Sequence, residues 1–268
     1  MAFSATVRGR GLSHRLLSVL AEVALPVIAI ALWWVLSANS TSLYFPPLSK
    51  IMAAFQRIWL FGHFDSDAVP SLENLAVGLL IATAVGVAVG MLLGLLPILS
   101  DAVLPTVEFL RAVPGVALLP AALLLLGIGP EMKISLIAYG TVWPVLLNTV
   151  DGVRGVDPVA VEVGASYRLR RPDRLFRIIL PAASPQIVAG MRSALSIGIT
   201  VIIFSEMVGS TDGIGFQILS AQRNFAVADM WAGIVMLGVL GYVLNIGFRG
   251  LENRLLRWHH GMRNSAGS

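Results

Sequence analysis

The chain has 268 residues, of which 56% are hydrophobic and only 13% are charged, with a net charge of +4. A soluble domain carries about one quarter charged residues, so this composition excludes an ordinary soluble protein. The absence of cysteine excludes disulfides, thiolate metal sites and a cysteine nucleophile. We expect no metal site, because the histidines lie in tails or loops without an acidic neighbour at ligand spacing: His14, His63, His259 and His260.

Six apolar segments predict an all-α, polytopic integral membrane protein of about six transmembrane helices. A helix needs ~20 apolar residues to span a bilayer, whereas the short alternating segments of a membrane β-barrel do not occur in this sequence. The first segment has the outline of a signal peptide, but Trp33 and Trp34 favour a span. The third is interrupted at Arg111 and Pro114. The segments cover residues 23–36, 75–96, 104–128, 134–150, 187–208 and 230–248.

The distribution of basic residues predicts the orientation of these segments. Six spans place both termini on the same side as the loop between the fourth and fifth spans. That side carries thirteen arginines, against four basic residues on the other side, so the positive-inside rule places it in the cytoplasm. We therefore expect a cytoplasmic N-terminal tail at residues 1–20, one transmembrane domain at 21–255 and a cytoplasmic C-terminal tail at 256–268.

Four glycines of the second segment share one helical face: Gly78, Gly86, Gly90 and Gly94. Small residues let two helix backbones approach closely in lipid. This pattern predicts packing of helices within the chain; a substrate path or a contact between two copies is the alternative.

The loop between the fourth and fifth segments is polar and strongly basic, so it must fold at the membrane surface. Asp157 and Pro158 can start a helix, because aspartate caps free N–H groups and proline is tolerated at the first helical position. We expect a short helix over residues 159–168 and, after a break, a second one that ends at Pro181. Contact with anionic lipid headgroups and docking of a protein partner both explain such a loop.

The spacing within this loop resembles the EAA loop in permease subunits of bacterial ATP-binding cassette importers. That motif consists of Glu-Ala-Ala, three residues, Gly, nine residues, Ile, one residue and Leu-Pro. The matching positions are Glu162, Val163 and Gly164 at the start, Arg168 at the glycine place, and Ile178, Leu180 and Pro181 at the end. The resemblance implies a coupling helix that docks into an ATPase subunit through Glu162, Val163, Gly164, Ala165, Ser166, Tyr167, Arg168, Leu169, Arg170, Arg171, Leu175 and Phe176.

Arg168 departs from the motif and leaves the shape of this turn open. An alternative alignment puts residues 164–166 at the glycine place, but it requires a four-residue insertion before Leu180 and Pro181. The alignment without a gap is preferred.

Further matches extend the resemblance over residues 71–258, which are similar to the subgroup that serves nitrate, sulfonate, taurine and related substrates. They lie at residues 105–120, 127–129, 143–154, 205–207 and 213–215. The resemblance implies two cytoplasmic ATPase subunits, a second permease copy forming a homodimer, and an extracytoplasmic substrate-binding protein, all at the bacterial inner membrane. This chain lacks a phosphate-binding loop, so we expect no bound cofactor and no ATP hydrolysis here, and no nucleic-acid partner.

Five residues in or beside the spans are candidates for the translocation path or its gating. Ionisable residues inside a membrane are functional candidates by default. Glu108 and Arg111 lie three residues apart, where they can form a structural ion pair. Glu206 is either a transport residue or a helix-end residue that is hydrogen-bonded to a neighbouring loop. The candidates are Glu108, Arg111, Pro114, Asn148 and Glu206.

A secondary transporter or channel is the alternative function. Coupling to an ion gradient requires intramembrane acids, often in repeated halves, and the spans offer only Glu108 and Glu206 without a repeat. A membrane enzyme is disfavoured, because the sequence shows no His/Asp/Ser or His/Glu constellation in or beside the spans.

Overall fold

The computed structural model describes residues 12–257, with side chains from residue 24 onward. This part of the chain forms helices and no strand, which confirms the predicted all-α class. Most of the two predicted tails lies outside it, although residues 12–20 belong to the first helix. The helices are α1 (Leu12–Ser37), α2 (Leu48–Phe55), α3 (Val69–Leu95), α4 (Pro97–Ala112), α5 (Leu119–Leu126), α6 (Pro130–Arg154), α7 (Pro158–Ser166), α8 (Arg171–Arg174), α9 (Leu180–Gly209), α10 (Ile214–Arg223) and α11 (Val227–Leu255).

Each of the six predicted segments falls on helical structure. Within residues 12–257, three uninterrupted helices are long and apolar enough to cross a membrane: Phe64–Leu95, Arg171–Gly209 and Val227–Leu255. A fourth is added if α4 and the following helical stretch Gly115–Leu126, which meet at 76°, count as one broken span. The bend falls at Pro114, as the predicted interruption of the third segment requires, since proline cannot donate a helical hydrogen bond.

The centre of the molecule is a close contact between α3 and α6. A Cβ built on Gly86 would lie 2.9 Å from Val145, and one built on Gly90 would lie 2.6 Å from Thr149. Because the glycines carry no side chain, residues of α6 pack directly against the backbone of α3 along a seam. The glycine stripe therefore serves packing within the chain, as predicted.

The glycine contacts also fix the directions of the helices. Gly78 faces Ile137 while Gly94 faces Val153, so α3 and α6 run parallel. The intervening chain must then return along the bundle through α4 and α5. In contrast, α9 is antiparallel to α6, because Gly190 lies against Asn148 whereas Val201 lies against Gly140. We call residues 151–181 the basic loop, and the two ends of the bundle the basic-loop end and the opposite end.

The second half of the basic loop differs from the expected short surface helix. From Arg171 the chain forms one uninterrupted helix of 39 residues that continues through Pro181 to Gly209. The turn over Leu175–Ile179 is a widened π turn, in which the N–H of Leu180 reaches the carbonyl of Leu175. Such a turn shifts the hydrogen-bond register just before Pro181, and it explains why a proline there does not end the helix.

Candidate functional site

The first half of the basic loop is the short helix that the sequence predicts. Asp157 Oδ1 accepts a hydrogen bond from the Val159 N–H at 2.9 Å, which caps the free end of α7. The helix ends at Ser166 rather than at about residue 168.

The turn after α7 has the shape that a glycine would give it. Arg168 has a φ of 55°, in the left-handed region that glycine enters at little steric cost. Its N–H bonds to the carbonyl of Ala165 at 2.9 Å, and the Leu169 N–H bonds to that of Gly164 at 3.1 Å. These two bonds form a Schellman motif, whose left-handed position is usually glycine. Arg168 therefore forms the same turn as a glycine would, but with the backbone strain of a positive φ.

The two ends of the predicted motif meet at Gly164. A Cβ at this buried position would lie 2.5 Å from Ile178 Cδ1 and 3.6 Å from Leu169 Cδ1. Gly164 therefore lets α7 lie directly against the widened turn Leu175–Ile179. This contact ties the first half of the loop to the helix that continues into α9.

The outer surface of the basic loop combines exposed apolar and basic side chains. Val163, Tyr167 and Phe176 are 49%, 79% and 63% exposed, and Glu162 is exposed beside them. Among the described residues, no carboxylate lies within 4 Å of the basic groups of Arg168, Arg170, Arg171 and Arg174, whereas Arg177 lies 3.6 Å from Asp173. Apolar side chains within a charged surface are typical of a site that meets a protein or a membrane.

A cleft opens where α4 and α5 break. Two adjoining hollows of about 510 and 460 Å³ share Arg111, Gly140 and Trp143 as walls. Pro114 lines the first hollow and Glu108 the second. The α9 side of the cleft carries hydroxyl groups in the middle of a long apolar helix, from the exposed residues Ser196 and Thr200. We call these hollows the central cleft.

The structure brings three sequence candidates together at the cleft and leaves two outside it. Arg111 Nε donates to Glu108 Oε2 at 2.5 Å, and both side chains are about half exposed, so the predicted pair forms at the rim. Asn148 donates to the carbonyl of Pro144 and accepts from Gln186, which links α6 to α9. Glu206 lies near the opposite end of α9.

Glu206 is completely buried and bonded to a neighbouring loop. Its carboxylate accepts from Ser71 Oγ of α3 at 2.5 Å and from the Gly215 N–H at 2.9 Å. Gly213 has a φ of 104°, and a Cβ at this position would collide with the carboxyl group of Glu206. The motif at 205–207 and the glycines at 213 and 215 therefore form one contact, in which Glu206 packs against the loop that carries the two glycines.

Sequence reasoning missed the partners of this contact. Asp67 is 3% exposed and accepts from the Gly213 N–H at 2.9 Å. It also lies 3.2 Å from His63, so that histidine does have an acidic neighbour, contrary to expectation. The spacing of these two residues, one helical turn apart, was the available signal.

A second missed interaction is an ion pair between α6 and the loop after α9. Lys133 Nζ lies 2.5 Å from Asp212 Oδ1, and the lysine side chain is only 3% exposed. In the sequence analysis this lysine is one of the four basic residues on the side opposite the basic loop, and no partner was expected for it. Nothing local in the sequence connects residues 79 positions apart. We call Asp67, Ser71, Lys133, Glu206 and Asp212 the polar clamp.

Comparison with known proteins identifies the chain. The family described as the inner membrane component of binding-protein-dependent transport systems matches residues 82–257. The chain belongs to this family. As a family member it is a transport permease subunit, not an enzyme, and an inner membrane component.

Several relatives of this family member are aligned over most of their length. It is 30% identical to the taurine transport system permease protein TauC of Escherichia coli (strain K12), over 87% of each chain. It is 33% identical to the bicarbonate transport system permease protein CmpB of Synechococcus elongatus, over 71% of this chain and 69% of that one. It is 32% identical to the nitrate import permease protein NrtB of Leptolyngbya laminosa, over 66% and 64%.

Solved structures show the same fold. A chain of the MetNI methionine ABC transporter in an inward-facing conformation superimposes with a TM-score of 0.62 at 19% identity, covering 74% of this permease and 97% of that chain. A chain of an amino acid ABC transporter crystallised with histidines gives a TM-score of 0.53 at 16% identity, covering 78% and 96%.

Proposed function

We propose that this permease forms, with a second copy of itself, the membrane path of an ATP-driven importer for a small solute that carries an oxyanion group. The observation that carries the proposal is the uninterrupted helix Arg171–Gly209. One of its ends belongs to the exposed basic loop, and its middle lines the central cleft. A force applied to the loop is therefore transmitted to the wall of the cleft by a single helix.

The central cleft is the proposed half of the path. Its wall combines the helix break at Pro114 with exposed hydroxyls of α9. Broken helices and polar groups at membrane depth are tolerated where they line a cavity or are covered by protein. A second copy facing this surface would enclose the cleft, which explains why polar groups are exposed on an otherwise apolar span.

The basic loop is the proposed docking site for a cytoplasmic ATPase, with one ATPase subunit for each permease copy. Glu162, Val163 and Tyr167 present an exposed surface on α7. The contact between Gly164 and Ile178 then ties α7 to the long helix. Closure of an ATPase dimer would move α7, tilt α9 and switch the access of the cleft from one side to the other. Both termini and the loop would lie in the cytoplasm.

The functions of the relatives support the substrate class. Taurine, bicarbonate and nitrate each carry a negatively charged oxygen-bearing group, and the relatives named for them span most of this chain. The rim arginine of the cleft, Arg111, is neutralised by Glu108. We infer that an extracytoplasmic binding protein supplies most of the selectivity, and that the permease supplies the path.

The test is purification of the tagged chain from its host in mild detergent, followed by identification of bound proteins. We expect an ATPase to copurify with the wild type and to be lost from Glu162→Lys. Glu73→Lys, at an exposed position of α3 away from the loop, is the matched control and should retain it. Solute uptake that persists without ATP but requires an ion gradient would instead support a secondary transporter.

A further inference from the structure

A second cleft lies behind the basic loop, at the end of the membrane-spanning helix α3. Its volume is about 680 Å³, and it combines two arginines with a mainly apolar wall. The central cleft shares none of its residues. The lining of this second cleft includes Leu95, Arg171, Arg174 and Phe176.

The charged side of this cleft carries two arginines without a counter-charge in the described part of the chain. Among the described residues, neither Arg171 nor Arg174 has a carboxylate within 4 Å, although Asp173 lies between them in sequence and pairs with Arg177. Both guanidinium groups line the cleft. Arginine forms strong, often two-fold hydrogen bonds with phosphate and carboxylate groups, so two unpaired guanidinium groups at one cleft favour an anionic ligand.

The apolar side of the cleft continues onto the surface of α3. Leu92, Leu95 and Leu96 are 50%, 41% and 47% exposed at this end of the helix. Phe176 closes the other side and is 63% exposed. An anion bound by the arginines would therefore have an apolar chain-sized surface next to it, at the level where the span enters the membrane.

We propose that this cleft binds one anionic phospholipid, with its phosphate on Arg171 and Arg174 and an acyl chain along Leu92, Leu95 and Leu96. Basic pockets at the cytoplasmic ends of membrane helices are suited to such headgroups. The lipid would hold the loop against the end of α3. The proposal needs only a membrane-embedded chain, so it can fail while the proposed ATPase coupling stands, and the reverse.

The experiment uses the full chain, purified without an ATPase and placed in mixed micelles of phosphatidylglycerol and phosphatidylcholine. Retained lipids are counted by native mass spectrometry after delipidation. We expect one phosphatidylglycerol to be retained in preference to phosphatidylcholine by at least about tenfold. The double variant R171Q/R174Q should lose this preference. The matched control R168Q/R170Q removes equal charge from the same loop outside the cleft, and it should keep the preference.

Three results would overturn the proposal. Equal losses in both double variants would show general attraction of the loop to anionic surfaces. Displacement of the lipid by inorganic phosphate would show a site for a free anion. A wild type without bound phosphatidylglycerol, together with loss of a copurifying ATPase from R171Q/R174Q, would assign the cleft to the ATPase. Thermal unfolding of both variants in detergent verifies that they are folded.

Discussion

Ile178 Cδ1 lies 2.5 Å from the position that a Cβ on Gly164 would occupy. The two residues come from opposite ends of the loop motif, and their contact holds α7 against the helix that continues into α9. The loop is therefore one packed unit, not a flexible connection between two spans.

We expect Gly164→Val to separate the two halves of this unit. A branched side chain at Gly164 must displace Ile178, and overpacking of this kind costs about 1–3 kcal/mol. ATP-dependent uptake by the assembled transporter should fall, and the second substitution Ile178→Ala should restore it by making room. Ala165→Val, at the exposed neighbouring position, is the control. Failure of the rescue would mean that the contact is not what couples the two halves.

Replacement of Arg168 by glycine should stabilise the protein. A left-handed conformation costs an L-residue roughly 1–2 kcal/mol, and glycine avoids this cost. About half of the gain is offset, because glycine loses more conformational entropy on folding than other residues do. A net gain of up to about 1 kcal/mol is expected in thermal unfolding of the purified chain. Arg168→Ala removes the same charge but keeps a Cβ, so it should give no gain. An equal gain with alanine would point to charge as the cause.

Loss of Glu206 should destabilise the opposite end of the bundle. Glu206→Ala leaves the buried Gly215 N–H without its acceptor, whereas the Ser71 hydroxyl keeps the Asp67 carbonyl. One unsatisfied buried donor costs about 1–3 kcal/mol. Glu206→Gln keeps one carbonyl oxygen and should have the smaller effect. Unfolding of the detergent-purified chain measures both, with Glu73→Ala on the exposed side of α3 as the control. A stable Glu206→Ala chain that fails only in transport would instead assign the residue to the path.

The ion pair of the polar clamp should respond asymmetrically to loss of its two partners. Asp212→Asn leaves the buried ammonium of Lys133 without a counter-charge, which costs about 3–5 kcal/mol for a fully buried pair and less here because Asp212 is half exposed. Lys133→Met removes the buried charge itself and should cost less. Thermal unfolding of the two variants and of their combination checks this order. A combination no more stable than Asp212→Asn alone would contradict it.

Local patterns in the sequence were sufficient for the six apolar segments and for the capped start of α7, but not for the continuous helix Arg171–Gly209. Asp157, Pro158 and the glycine stripe each act within one turn or one face of a helix, where spacing carries the information. The conformation of Arg168 was left open, because an arginine in a sequence does not indicate a positive φ. In the alignment without a gap Arg168 stands at the glycine place of the motif, and the positive φ occurs at this residue.

The polar clamp could not be predicted in the same way. Its members come from the turn before α3, from α3 and α6, and from the end of α9 and the loop that follows it. They meet only because the glycine seam brings the helices into contact. Glu206 was singled out by its burial in a span, but the side chains that surround it are polar residues at helix ends, which ordinarily face water. Tertiary packing, not local pattern, decides that Asp67 and Lys133 are buried.

The glycine seam between α3 and α6 also restricts how the length of this protein can change. Each helical residue turns the chain by about 100°. A single insertion between Gly78 and Gly94 would rotate every later glycine away from α6 and bring bulky side chains against Val145, Thr149 or Val153. Substitutions on the lipid-facing side of α3 leave the seam intact, whereas a change of one residue in length misaligns it. In α3 the number of residues is therefore under stronger constraint than the identity of most of them.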